Sequence, residues 1–231
     1  MELEIEKCKA FEQFTFRHLT SIDIAELKTM ILEEPQKTWD LCNQSVENQS
    51  TANIPIVHSY NDWEVNTPMK RFVMKPLYDK YMPFINPYLD FLHQLFPNSI
   101  ATRIVFSKIF PKKCISPHVD FMDMIKYPRR FHIPIITNND CLFTVGDETR
   151  VLEEGQLTLI CQHTLHSVVN DGDTARIHLI IDLMDTKYVP SYHDVVIQDE
   201  FDEDGIREIQ EASSRFAESL KTKYPWFILQ K

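Results

Sequence analysis

Glycine is scarce in this chain, with 4 in 231 residues. Neither Gly-x-Gly-x-x-Gly nor Gly-x4-Gly-Lys-Ser/Thr occurs, so the two common phosphate-cradling loops are excluded. The five cysteines, Cys8, Cys42, Cys114, Cys141 and Cys161, are odd in number and include no Cys-x-x-Cys. That argues against a disulfide scaffold and for a reducing, cytoplasmic compartment. No apolar run approaches the roughly 20 residues of a membrane helix, so no span is expected. Met1-Glu2-Leu3-Glu4 is acidic and opens no apolar stretch, so a signal peptide is not expected. The net charge is −10, and the basic residues come in pairs (Lys112-Lys113, Arg129-Arg130) and not as a stripe. Phosphate backbones need a clustered basic surface, so nucleic acid is not an expected partner.

What is present is a core. Hydrophobic residues make up 43% of the chain, including 15 Phe, 8 Tyr and 3 Trp. Three zones follow from the pattern. Residues 1–98 are mixed and largely helical, and would pack on the core. Ser21 to Glu34 carries apolar residues at helical spacing (Ile22, Ile24, Leu27, Met30, Ile31) behind a candidate Ser21 cap. Met69 to Leu95 is helical in pattern but holds Pro76, Pro83 and Pro87, which predicts two or three short helices. Residues 99–186 change character to eight short β-rich runs: 103–110, 115–120, 130–137, 141–145, 150–152, 156–161, 166–170 and 176–183. Turn residues such as Gly146-Asp147 and Asp171-Gly172-Asp173 separate them. Close, even spacing of short strands predicts a mainly β fold with flanking helices, a jelly roll or double-stranded β-helix of cupin-like type. Residues 187–231 form a helical extension, in which Asp202 to Lys223 places Ile206, Ile209, Phe216 and Leu220 on one side.

Ser116-Pro117-His118-Val119-Asp120 is answered by His166 and then Arg176. Two imidazoles and a carboxylate can occupy one face of a metal and leave the other open, the ligand set of non-haem Fe(II) oxygenases. His118 and Asp120, two apart on an expected strand, share a face. His118 falls on the second expected strand and His166 on the seventh, which lie side by side in a jelly roll. The bland alternatives are a chance His-x-Asp, an Asp120 that caps a turn, and a surface pair in His163 and His166. Arg176 opens the last strand, and a buried arginine needs a partner. Its fork suits a bidentate carboxylate, such as that of 2-oxoglutarate; Asp182, at the same parity, is the internal alternative. Arg130 and His132 alternate inward on Arg-Phe-His-Ile-Pro-Ile, against a surface charge and a satisfied core histidine as alternatives. His178 is read as packing.

These segments resemble the aspartyl/asparaginyl β-hydroxylase family. The likeness covers about residues 100–186 and rests on Arg-Phe-His-Ile-Pro-Ile at 130–135, His-Ser-Val-Val-Asn at 166–170 and Arg-Ile-His-Leu-Ile-Ile-Asp at 176–182. The resemblance implies a double-stranded β-helix oxygenase that uses Fe(II), 2-oxoglutarate and O2. The family's metal histidines match His118 and His166, and its 2-oxoglutarate contacts match Ser107, Arg130, His132 and Arg176. Animal peptide hydroxylases of the family have Gly where this chain has Asp120; bacterial small-molecule members such as proline hydroxylases have the carboxylate. The implied activity is hydroxylation of an unactivated C–H in a free amino acid or an Asp/Asn-type side chain, on a small-molecule or peptide substrate. Desaturation or halogenation is the rival reaction. A non-catalytic, cupin-like module that binds a metal or small ligand is the rival class.

Overall fold

The run Arg176–Asp185 is buried at every position but its last. Strands alternate faces, so continuous burial means that both faces are covered. Ile177, Leu179, Ile181 and Leu183 belong to the principal core under the helices, while the alternate residues turn into a barrel. This computed structural model describes residues 14–40, 50–60, 68–120, 128–189 and 191–198, with 204, 207 and 211.

Within these residues the order is β1 (Phe16–Ser21), α1 (Ala25–Leu32), α2 (Gln36–Asp40), β2 (Thr51–Tyr60), β3 (Met69–Met74), α3 (Lys75–Leu95), β4 (Ser99–Ile109), β5 (Lys113–His118), β6 (Arg129–Ile136), β7 (Cys141–Val145), β8 (Glu148–Arg150), β9 (Gln156–Ile160), β10 (His166–Asn170), β11 (Arg176–Asp185), a 3-10 turn (Thr186–Tyr188) and β12 (Tyr192–Ile197). An eight-stranded sheet runs β1-β9-β6-β11-β4-β2-β3-β12, and a four-stranded sheet runs β5-β10-β7-β8. Apart from the parallel β3–β12 pair, neighbours are antiparallel. The fold is the expected double-stranded β-helix with flanking helices. All eight expected strands are present, with ends shifted by a few residues.

A second core, with Phe16, Ile109, Phe143, Val145, Leu152, Ile160 and Val168, lies around the smaller sheet. Buried Asn170 closes one end of the barrel. Its amide donates to the carbonyls of Thr174 at 2.9 Å and Ile109 at 3.3 Å, and its oxygen accepts from Asn138 Nδ2 at 3.0 Å. These bonds tie β10 to β4 and shape the loop that leads into Arg176.

Three expectations need correction. The regions flanking the eight-strand run also supply strands: β1, β2 and β3 before residue 99, as well as helices, and β12 inside the expected helical extension at 187–231. Ser21 ends a strand and caps nothing; the helix starts at Ala25, whose N–H is taken by Asp23 Oδ1 at 3.0 Å. In β1 only Phe16 is buried, so no apolar alternation announced it. Met69 to Leu95 is one strand and one 21-residue helix. Pro76 sits in its first turn, where the missing N–H has no partner to lose. Pro83 and Pro87 are exposed one turn apart, so both breaks in the bonding fall on the outer face. The inward stripe Leu77, Tyr81, Ile85, Leu89 and Leu92 stays buried and holds the helix together. Of Asp202 to Lys223 only Asp204, Arg207 and Glu211 are described, each helical; Ile206, Ile209, Phe216 and Leu220 lie outside the described residues.

Gly155 has φ +77°, and a Cβ built there would stand 2.6 Å from the Ile22 carbonyl oxygen. Gly146 has φ +57°, and its Cβ would meet the Thr164 methyl at 3.1 Å. Backbone cannot move aside as a side chain can. Gly155→Ala is therefore expected to lower the urea midpoint by about 2–4 kcal/mol equivalent, more than Gly146→Ala at about 1–2 kcal/mol. Equal losses would show that the Ile22 contact is not the constraint.

Candidate metal and co-substrate site

His118 ends β5 and His166 opens β10, and the two residues are direct partners across the antiparallel pair. Pro117 cannot donate to the ladder, and the register slips just behind it, between His166 and Val168. Such bulges re-aim a side chain. The two rings stand 4.2 Å apart between centroids. Each is held in the same way: His118 Nδ1 donates to the Ser116 carbonyl at 2.8 Å and His166 Nδ1 to the Thr164 carbonyl at 2.9 Å. A carbonyl only accepts, so both Nδ1 atoms carry the proton and both Nε2 lone pairs are free to ligate.

Asp120 lies just beyond the end of β5, not on it as expected. Its N–H bonds the Gln162 carbonyl at 3.1 Å, and His163 Nδ1 reaches its carbonyl at 3.4 Å. His163 thus braces the backbone of Asp120. Asp120 Oδ1 is 3.7 Å from His118 Nε2 and Oδ2 is 3.9 Å from His166 Nε2. One donor atom from each of the three residues lies within 4.8 Å of the others. Bonds of about 2.1 Å at right angles put donor atoms about 3 Å apart, so the two Asp120–histidine contacts have roughly 1 Å to close on an ion and the widest pair up to about 2 Å. Exposure is graded: the side chains of His118, Asp120 and His166 are 39%, 12% and 7% exposed. Burial lowers the pKa of His166, which keeps it neutral as a ligand must be.

Arg130, Asp182, Arg103 and His58 form one row across β6, β11, β4 and β2. Arg130 donates from Nε and Nη2 to the two Asp182 oxygens, both at 2.8 Å, and from Nη1 to Asp120 Oδ2. Burial opposes its charge, but the Asp182 and Asp120 carboxylates outweigh burial and hold it above the usual arginine value. Asp182 therefore partners Arg130 and not Arg176, which corrects the internal alternative for Arg176. His58 is the reverse case: burial and then Arg103 push it down to about 3.

Arg176 is 2% exposed. Among the described residues it meets no carboxylate. Its Nη2 donates to His178 Nδ1 at 2.5 Å, and its Nε has no partner. Burial pushes its pKa down to about 10. Each pKa unit is worth about 1.4 kcal/mol, so carrying this charge costs on the order of 3 kcal/mol. Buried Ser107 lies one register row away, opposite His178 on β4. His132 Nδ1 is 3.2 Å from His178 Nδ1, and the Phe143 ring stands 5.3 Å from His132 and 6.4 Å from His166. Burial, followed by Arg176, lowers both His132 and His178 far below the ordinary value. His178, expected to serve in packing, is the acceptor that orients Arg176. Shared parity with Arg176 was the signal available for it.

The family model for aspartyl/asparaginyl β-hydroxylases matches residues 29–186, more than half of the chain and well beyond the stretch recognised by motif. The chain belongs to the aspartyl/asparaginyl β-hydroxylase family. Among curated relatives, an L-proline cis-4-hydroxylase of Rhizobium meliloti (strain 1021) is 25% identical over 189 residues, 80% of this chain. The chain spans 62% of the length of that relative. A solved oxidoreductase of the 2OG-Fe(II) oxygenase family from Burkholderia pseudomallei superposes with a TM-score of 0.51 at 13% identity, over 78% of this chain and 89% of that one. The non-heme monooxygenase ThoJ, in its Ni complex, gives 0.57 at 12% identity over 94% and 99%. At such identities these structures speak for the fold alone, and the fold agrees. Asp120 is hydrogen-bonded to Arg130 and faces both histidines.

A buried cation with no carboxylate burdens the ligand-free fold. Arg176→Met is therefore expected to leave the melting temperature of ligand-free protein unchanged or to raise it, by up to about 2 kcal/mol equivalent. A drop worth more than about 1 kcal/mol would mean that Arg176 is already satisfied within the fold.

Proposed function

We propose that this protein is a 2-oxoglutarate- and Fe(II)-dependent dioxygenase that hydroxylates an unactivated C–H of an amino acid or an Asp/Asn-type side chain. The observation that carries the reading is the pairing of two unmet demands in one barrel. His118, Asp120 and His166 converge with free ligand atoms, and Arg176 is buried with an unpartnered Nε and no carboxylate among the described residues. A divalent metal meets the first demand and the distal carboxylate of a dicarboxylate meets the second.

His118 Nε2, Asp120 and His166 Nε2 would hold the iron, with their orientations set by Ser116, Gln162 and Thr164. When bound, Fe(II) with 2-oxoglutarate supplies the oxidative chemistry, in which O2 and 2-oxoglutarate yield succinate, CO2 and the hydroxylated product. The protein's own part is placement and exclusion of water. Arg176 would take the distal carboxylate through its fork, with Ser107 beside it as a hydroxyl donor and His178 fixing the guanidinium. His132 bridges this end to the metal end and stays neutral. Asp120 would serve as the anionic ligand that a halide would otherwise have to supply, which favours hydroxylation over halogenation. The L-proline cis-4-hydroxylase relative supports a free amino acid as the primary substrate. The three described cysteines, Cys114, Cys141 and Cys161, are free, which supports the reducing cytoplasm as the place of work. No helix among the described residues is long and apolar enough to cross a membrane.

The test is turnover with Fe(II) and 2-oxoglutarate against free amino acids and short Asp/Asn peptides, followed as succinate release and a product heavier by one oxygen. His118→Ala and His166→Ala are expected to abolish succinate formation with the circular dichroism spectrum unchanged. A non-catalytic binding module would make no succinate in the wild type. Arg176→Leu is expected to raise the 2-oxoglutarate requirement by ~30- to 1000-fold, the loss of a charge-assisted bidentate pair. An affinity within threefold of wild type would place the co-substrate contact elsewhere.

A further inference from the structure

The resemblance assigns Arg130 to the co-substrate, yet its three nitrogens are engaged within the protein. Nε and Nη2 bind both oxygens of Asp182 at 2.8 Å, and Nη1 binds Asp120 Oδ2. Asp182 is itself 2% exposed and pairs directly with Arg130 in the β6–β11 register. A fork-to-fork arginine–carboxylate pair fixes the plane of the guanidinium. The third nitrogen is thereby aimed at one oxygen of Asp120. The other oxygen, Oδ1, is left facing His118 Nε2 at 3.7 Å.

We infer that Arg130 and Asp182 are positioning residues for Asp120: Asp182 locks Arg130, and Arg130 holds one Asp120 oxygen so that the other is presented to a metal. This rests on the metal reading above. Two physical points support it. Hydrogen bonds to the Asp120 backbone leave its carboxylate free to rotate about the side-chain bonds, and ligating carboxylates are themselves held by hydrogen bonds that set their direction. Charge is the second point. Arg130 alone would neutralise Asp120 and remove the attraction for a divalent cation. Asp182 takes two of the three Arg130 donors, so Arg130 is shared between two carboxylates and Asp120 is only partly neutralised. Asp182 also sits opposite Arg103 in the β4–β11 register, which places a second cationic side chain next to it in the row.

The experiment is a calorimetric titration of the metal-free protein with Co(II) alone, with no 2-oxoglutarate present. A role for Arg130 only towards the co-substrate would leave this measurement unmoved. Asp182→Asn is expected to weaken Co(II) binding ~10- to 100-fold, the usual effect of losing a partner of a metal ligand. In an Asp120→Ala background the same change should cost less than ~2-fold, because its route to the metal is gone. Unchanged Co(II) affinity in Asp182→Asn overturns the inference, and so does an equal loss in both backgrounds. If Asp182→Asn does not fold, Arg130→Lys keeps the charge and loses the fork; a folded Arg130→Lys with wild-type Co(II) affinity overturns it as well. Wild-type protein that takes up no Co(II) removes the metal reading itself, an outcome distinct from wild-type binding that the variants leave intact.

Discussion

Two guanidinium groups are buried inside one barrel, and the fold treats them in opposite ways. Arg130 has two carboxylates, Asp182 and Asp120; Arg176 has none among the described residues and a single imidazole acceptor. Burying an unpaired charge is among the larger penalties a fold can carry. The difference therefore separates what the protein has completed for itself from what it leaves for a ligand. The Arg130 guanidinium has its donors met by carboxylates of the protein itself. The Arg176 end is costly until a carboxylate arrives, so much of the binding energy there is relief of a cost already present in the free protein.

That arrangement is sustainable only because the large sheet is covered on both faces. The outward residues of β11 and β4 sit under α1 and α3 in the principal core. Their inward residues form successive rows: Asn53, Ser107, His178 and Pro134, then Pro55, Val105, Ile180 and His132, then His58, Arg103, Asp182 and Arg130. The middle row, apolar except for His132, lies between the Arg176–His178 end and the Arg130–Asp182 end. Packing at interior density on the outer face holds the strands still enough for the polar rows to keep their register. Stability lives on one face of the sheet and chemistry on the other.

The eight strands from β4 to β11 and the residue types of the site were legible because both are local properties. Short β-rich runs bounded by Asn, Asp and Gly mark strands, and His-x-Asp with a distant His and Arg marks a ligand set. The facing of the second and seventh strands also followed, since jelly-roll topology leaves few choices. Partners across strands were not legible. Parity says which face Asp182 occupies but not which residue of a neighbouring strand is opposite; that depends on registers shifted by the irregularities at Ile177/His178 and Asp182/Leu183, whereas Arg176, six residues along the same strand, is roughly 20 Å away. β5 likewise ends at His118, two residues short of Asp120. The α3 prolines misled for a related reason: propensity counts the broken bonds, while the buried stripe on the opposite face is a tertiary fact.

The hydrogen-bond directions at the Arg176 end fix where the protons are. Arginine can only donate, so His178 Nδ1 is an acceptor and its proton is on Nε2. His132 Nδ1, 3.2 Å from the same nitrogen, must then be the protonated one, with Nε2 of His132 left as a lone pair. A proton added to His178 Nδ1 would face Arg176 directly and lose the bond that orients it. Burial and the arginine charge both oppose that proton. Neutral imidazoles in this cluster are thus a condition of keeping Arg176 charged and aimed. The row structure carries the same logic to the other end, where Asp182 lets a second arginine stay charged without cancelling the carboxylate that faces His118 and His166.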